Sequence, residues 1–489
     1  MAKLSLKNQK TNIVVTAIIL AIALVVGSIV AVDFVSFRQY NAYFNTDLVD
    51  EIQHFVDYSP NLKGTVGADT AIYIKYGSKN TVALIKAENA DQLNTLDSLN
   101  ATGKHICGIT GSESLTIAKA SLTTVNEVAD VVAAAAAVKA GTADAAVMTY
   151  AEAKAAVAAD SSLAVSKAEV EKVPSMLVLG GTHPNEPAGQ IAATIILESA
   201  TVERGILYIV TETNRSGYTH THPQEASPEY YHLTAKDGSQ RTFKFGSRAS
   251  NTVDQWPTPD MYSHKQSGQT LSASEVRNLN RAYPGSVDGN YTERVAYAVT
   301  QIIRQNNISI AIDLHEASPE YSNINQGVYH QAAESITGEA SLLAEMAGID
   351  TLNFSQSPIN FHGLTHRELG DYTNALVYLF ETSNASQGKY RGPFTEDLIV
   401  TGKDKLYDIA EEAGLLYAPP VHIDERAARH VCCVDVLAQA FNNASGLTRE
   451  SYDGTSIVDY SVLGDFSISM PSYMDIYTNG AGYYLAPAK

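Results

Sequence analysis

The chain has 489 residues, with 53 acidic and 34 basic side chains and a formal net charge of −19. That length suffices for two or three domains and a sizeable core. The acidic balance excludes nucleic acid as a partner, because phosphate binding needs a basic footprint. The cysteines, Cys107, Cys432 and Cys433, are too few for a disulfide framework and form no CxxC pair of the kind a zinc ribbon needs.

The first element is Ile13–Val32, an uncharged, mostly apolar run of 20 residues. At about 1.5 Å per residue it reaches about 30 Å, the thickness of a bilayer core. Lys3, Lys7 and Lys10 precede it and Asp33 follows. The positive-inside rule puts the N-terminus in the cytoplasm and everything after Val32 outside. The run exceeds the apolar region of a cleaved signal peptide, and no A-x-A site follows. Residues 1–35 are therefore expected to form a cytoplasmic tip and an uncleaved transmembrane signal anchor. The protein would be single-pass in the cell membrane, held through residues 13–32, with an extracytoplasmic catalytic domain.

Residues 36–171 are expected to hold a juxtamembrane segment and a small α/β domain. Asp69–Lys86 alternates apolar and polar side chains, which predicts one or two strands around a Gly-Ser turn. A strand at His105–Ile109, a turn and a helix start follow. Val125–Val138 is Ala-rich and reads as helix, and Ala145–Met148 reads as a strand before another helix. Thr102–Ala158 resembles one lobe of an extracytoplasmic solute-binding protein of the amino-acid-binding type. That resemblance implies that the turn Thr110–Ser112 binds a ligand carboxylate through backbone N–H groups at a helix start. An ordinary βαβ layer without a ligand accounts for the same pattern.

Beyond Pro174, strand and helix signals alternate to about Pro420, which predicts an α/β layer fold over 172–420. Met176–Leu179, Ile206–Thr211, Ile308–Leu314 and Leu376–Phe380 read as strands, and Gln190–Glu198 as an amphipathic helix. Asn214–Gly268 is polar and resists assignment. Residues 421–489 read as a C-terminal helix, Glu425–Phe441, and a β extension over Ser456–Leu485.

Three distant segments share one feature. GGTHPNEPAG carries His183 and Glu186 in a strand-to-helix loop, where Gly180 and Gly181 allow a sharp turn. AIDLHEA ends an apolar run on His315, and YLFETSN ends another on Glu381. Ligand sites in open α/β sheets gather at the carboxyl ends of strands. Two imidazoles and a carboxylate match the mixed donor set of zinc, and a spare carboxylate completes the requirements of metal-assisted hydrolysis. Arg281, beside the turn Tyr283-Pro284-Gly285, can clamp a carboxylate with two parallel hydrogen bonds. His362 and His366 read as surface histidines, with pocket lining as the other option.

GGTHPNEPAG, NLNRAYPG (Asn278–Gly285), DLHEA (Asp313–Ala317) and FET (Phe380–Thr382) together resemble the zinc carboxypeptidase superfamily, in its succinylglutamate desuccinylase and aspartoacylase branch. The likeness covers about Lys172 to Pro420, half the chain. It implies a mixed-sheet catalytic domain in which His183, Glu186 and His315 bind zinc. It also implies that Glu381 is the general base and that Asn280 and Arg281 hold the substrate carboxylate. Arg248 and Arg277 are the candidates for a second, substrate-polarising arginine. One position departs from the family, which usually has Asp where this chain has Asn278. The expected function is cleavage of an amide bond beside a free carboxylate, on a peptide or an N-acyl amino acid. The rival is a ligand-binding, sensory or self-assembling surface protein on a degenerate scaffold.

Overall fold

The computed structural model describes residues 48–54, 70–221 and 227–487. The apolar run 13–32 lies outside them. Among the described residues no helix is long and apolar enough to cross a membrane. The longest of them, Ile423–Asn443, carries Asp424, Glu425, Arg426, Arg429 and Asp435. Each such charge costs about 2.5–3.5 kcal/mol at a bilayer centre. The expectation of a single-pass membrane protein with an extracytoplasmic catalytic domain is corrected accordingly: the described fold gives it no support.

The mixed α/β architecture expected from sequence is present. An eight-stranded sheet runs in the order Glu51–His54, Ala71–Tyr76, Ile206–Val210, Ser175–Leu179, Ile310–Ala317, Leu376–Ser383, Gln326–Tyr329, Asn353–Gln356. The four central strands, from Ile206–Val210 to Leu376–Ser383, are parallel. Ala71–Tyr76 and Gln326–Tyr329 flank them antiparallel. Parallel strands are covered on both faces, so their sequences are largely apolar, with the polar residues toward their carboxyl ends. In SMLVL, Met176 and Val178 pack with helices Pro187–Ser199 and Ile423–Asn443, whereas Leu177 and Leu179 pack with helix Tyr291–Gln305.

A second, five-stranded sheet has the order Val125–Val128, Ile106–Ile109, Ala145–Thr149, Thr81–Lys86, Leu163–Val165. The two strands expected within Asp69–Lys86 do not pair with each other; one enters each sheet. Asn80, between them, bonds both the N–H and the carbonyl of Gly205, at 3.0 and 2.8 Å, and pins the linker to the large sheet. The helix expected over Val125–Val138 is a strand, Val125–Val128, followed by helix Val131–Ala140. Asp130 separates them, accepting the Ala133 N–H at 2.8 Å and starting the helix at Val131. In the C-terminal stretch, short strands occur at Ile457–Asp459 and Ser467–Ser469, but Tyr473–Asn479 is helix, opened by a reciprocal Ser472–Asp475 cap.

Candidate metal centre

His183, Glu186, His315 and Glu381 meet at the carboxyl ends of the parallel strands. His315 and Glu381 are direct neighbours in the register of their strands. His183 follows strand Ser175–Leu179 through Gly181, whose φ of +69° is a left-handed value that favours glycine. A Cβ on Gly189 would collide with the Leu314 carbonyl. Its absence lets the start of helix Pro187–Ser199 lie against the His315 strand, which brings Glu186 beside His315.

The three candidate ligands are buried and converge. His183 Nδ1 lies 2.8 Å from Glu186 Oε1, and His315 Nδ1 lies 2.8 Å from Glu186 Oε2. The two Nδ1 atoms are 3.1 Å apart. One ligand atom from each residue falls within 4.8 Å of the others, so the group can hold a metal ion.

The far side of each ring fixes its tautomer. His315 Nε2 is 2.7 Å from Asp313 Oδ2, and Asp313 also accepts the hydroxyls of Thr182 and Thr365 at 2.7 and 2.8 Å. His183 Nε2 is 2.8 Å from Asn278 Oδ1. That oxygen also accepts the Asn280 N–H at 2.9 Å, a group that can only donate, so the amide orientation is settled and His183 must offer Nε2–H. In its neutral form each ring therefore turns an Nδ1 lone pair inward. Positive charge among these groups relieves their repulsion: a metal ion would supply it, and without one a second proton on His315 and the Arg248 guanidinium, 3.2 Å from His183 Nδ1, do so. Two nitrogens and one carboxylate oxygen, with each ring oriented by an outer hydrogen bond, fit tetrahedral zinc with an open position.

Burial pushes His183 down to about 4, with Arg248 acting in the same direction. Burial also opposes charge on His315, but Asp313 and Glu186 outweigh it and raise His315 well above the ordinary histidine value. Glu186 lies well below the usual carboxylate range, because the two histidines overcome the cost of burial. Burial pushes Glu381 up to about 8. Its Oε2 has no hydrogen-bond partner among the described residues.

These side chains line a cavity of about 840 Å³, together with Arg248, Asn280 and Arg281. Arg248 places Nη1 3.2 Å from Glu186 Oε1. Arg281 donates to the Asn280 carbonyl at 2.6 Å. Asn280 accepts the Thr365 N–H at 2.8 Å. Arg277 is not brought to this cavity, which corrects its expected substrate-binding place. It bonds the Ser250 carbonyl instead. The backbone is extended at Asn278 (φ −82°, ψ 118°), so Asn278 and its neighbour point in different directions. His366 is buried rather than on the surface. It lines the cavity, and burial lowers it to about 3, which keeps it neutral. His362 is half-exposed and bonds Glu368 at 3.0 Å.

Sequence reasoning gave no part to three residues that shape the site. Asp313 was readable: it precedes His315 by two, and residues i and i+2 of a strand share a face. Glu316 and Arg426 form an ion pair of 2.6 Å with both side chains fully covered. Nothing in the sequence links them across that separation.

No family model and no curated protein matches the chain. Solved structures do. A succinylglutamate desuccinylase from Silicibacter sp. TM1040 is 16% identical, over 43% of this chain and 50% of that one, with a TM-score of 0.27. The tripeptide-bound cell shape determinant Csd4 from Helicobacter pylori is 11% identical over 55% and 51%, with a TM-score of 0.32. The ectoine utilization protein EutE (DoeB) from Ruegeria pomeroyi is 20% identical over 43% and 50%, with a TM-score of 0.26. This chain thus spans about half the length of each. At such scores the chemistry of the site stands on its own side-chain geometry.

Proposed function

We propose that the chain is a zinc-dependent hydrolase that cleaves an amide bond next to a free carboxylate, on a peptide or an N-acyl amino acid. The observation that carries this reading is the inward pair of Nδ1 atoms, 3.1 Å apart beside the Glu186 carboxylate, with both outer nitrogens already engaged. Zinc, when bound by His183, Glu186 and His315, would supply Lewis acidity and a water of lowered pKa. Glu381 Oε2, free of partners and next to His315 in register, takes a proton from water and returns it to the leaving amine. Arg281 holds the substrate carboxylate, and Asn280 positions that arginine through its backbone carbonyl. Arg248, between Glu186 and the cavity, faces negative charge developing at the cleaved carbonyl. The chemistry belongs to the unit built on the eight-stranded sheet, which includes the 172–420 stretch and also takes strand Ala71–Tyr76.

The test is metal quantification on the purified chain, with a hydrolysis screen of free and C-terminally blocked peptides and of N-acyl amino acids. The expected result is stoichiometric zinc, chelator-sensitive turnover and a requirement for the free carboxylate. A chain with neither zinc nor chelator-sensitive hydrolysis would be a binding protein, the reading that the uncharged Asn278 favours.

A further inference from the structure

Asn278 sits where an aspartate would give His183 a negatively charged support. Its amide does not end the chain of hydrogen bonds. Oδ1 faces His183 Nε2, and Nδ2 donates to Glu275 Oε2 at 2.9 Å. Glu275 occupies the 3-10 turn Ala273–Arg277, three residues before Asn278. Side chains three apart eclipse in such a turn, which stacks the carboxylate behind the amide. The Asn278 N–H also bonds the Glu275 carbonyl, at 3.2 Å, so backbone and side chain hold the pair together.

We infer that Glu275 is the positioning residue of the His183 ligand, supplying through the Asn278 amide the negative charge that Asn278 itself lacks. This rests on the zinc reading above. A donor polarised by a carboxylate makes the carbonyl of the same amide a better acceptor, so the His183 N–H is held more firmly and Nδ1 becomes a stronger ligand. Glu275 is ionised for this work: burial opposes its charge, but Arg248 and Arg281 outweigh it and hold the carboxyl below its ordinary value. Its other contacts are those guanidinium groups, Arg248 Nε at 3.4 Å from Oε1 and Arg281 Nε at 3.3 Å from Oε2. One carboxylate therefore fixes both the metal ligand and the two arginines that face the substrate. That coupling sets Glu275 apart from an ordinary surface ion-pair partner.

The zinc dissociation constant of the full chain, measured by competition with a chromophoric chelator, tests this in Glu275→Gln, Asn278→Asp and the double variant. Glu275→Gln should weaken zinc binding about 10–100-fold. The double variant should return to within about threefold of the parent, because the carboxylate introduced in place of the Asn278 amide then meets His183 directly. A purely structural role for Glu275 would give no such rescue, and thermal unfolding of the metal-free variants checks that role separately. Asn278→Asp alone should change affinity by less than about threefold, since the charge is already supplied. It decides the matter by itself if Glu275→Gln does not fold: a gain of about tenfold or more would overturn the proposal. Parent-like affinity in Glu275→Gln, or a double variant as weak as the single one, would overturn it while leaving the zinc site standing. A parent chain that binds no zinc overturns both.

Discussion

Arg426→Met tests how the centre is held from behind. Arg426 Nη1 lies 2.6 Å from Glu316 Oε1 with both side chains fully covered, and Nη2 bonds the Ile399 carbonyl. Glu316 Oε2 accepts the Ala188 N–H at 2.8 Å and Asn384 Nδ2 at 3.2 Å, and the Glu316 N–H donates to Glu186 at 3.0 Å. Methionine fills most of the volume but leaves a buried carboxylate without its counter-charge, which costs about 3–5 kcal/mol. A chain of this size shifts its midpoint by about 1 °C per kcal/mol, so the expected fall is about 3–5 °C. The assay is thermal and denaturant unfolding of the metal-free chain, which keeps metal linkage out of the difference. Adding Glu316→Gln removes the orphaned charge, keeps an acceptor for Ala188, and should recover about 2 kcal/mol or more. The pH dependence has a definite sign. Burial already raises the Glu316 carboxyl against the pull of Arg426. Without the guanidinium it rises further, so the folded form binds more protons than the unfolded one. The deficit of Arg426→Met should therefore be largest at high pH and shrink as pH falls. A variant within about 1 kcal/mol of the parent, or a double variant less stable than the single one, would refute this account.

Glu381→Gln should keep its zinc and lose about 10²–10⁴-fold in kcat; parent-like turnover would remove Glu381 from the proton transfer. Zinc at about 1,000 times its dissociation constant should stabilise the parent by about 4 kcal/mol, and His315→Ala should abolish that gain in a thermal melt. A gain that survives His315→Ala would rule out that ligand. Burial opposes charge on Asp371, but His330 and Arg367 hold its carboxyl low. Its folded value thus lies below the unfolded one, so its contribution is present above about pH 4 and is lost as pH falls through the folded value. Asp371 is 37% exposed, so Asp371→Asn should cost only about 0.5–1 kcal/mol near neutrality. The difference from the parent should vanish in acid unfolding curves, and a constant difference across pH would contradict the assignment.

The candidate ligands were legible because each ends or follows an apolar strand, and a polar residue at such a place stands out against its run. The second arginine was not. Arg248 and Arg277 carry the same charge, and what separates them is tertiary: Arg248 reaches Glu186, whereas Arg277 turns to the Ser250 carbonyl. Glu275 was hidden for a related reason: its tie to Asn278 depends on a short 3-10 turn, which leaves no periodic trace. In the small sheet, the alanines after Val125–Val128 carry so strong a helix propensity that they mask a four-residue strand. His366 read as a surface residue because THREL is polar, yet Thr365–Gly370 is buried as a block between the cavity and the Glu381 strand.

Strand alternation accounts for how the centre and its support fit into one short motif. Ile310, Ile312 and Leu314 face helices Pro187–Ser199 and Ile423–Asn443, and Ala311 faces the opposite core. Glu316 continues the first series and so meets Arg426 and the helix start at Ala188. Asp313 and His315 continue the second, which puts orienter and ligand together. Glu186, the residue before Pro187, makes no side-chain cap to its own helix. Glu316 takes the Ala188 N–H instead, and Glu186 turns its oxygens to the histidines, Arg248 and the Glu316 N–H. A one-residue slip of this strand would exchange the two series. It would carry His315 toward Arg426 and the Glu316 charge toward His183. The pairing of Ile310–Ala317 with Leu376–Ser383 on one side and Ser175–Leu179 on the other therefore specifies the candidate metal centre as firmly as the identity of its candidate ligands.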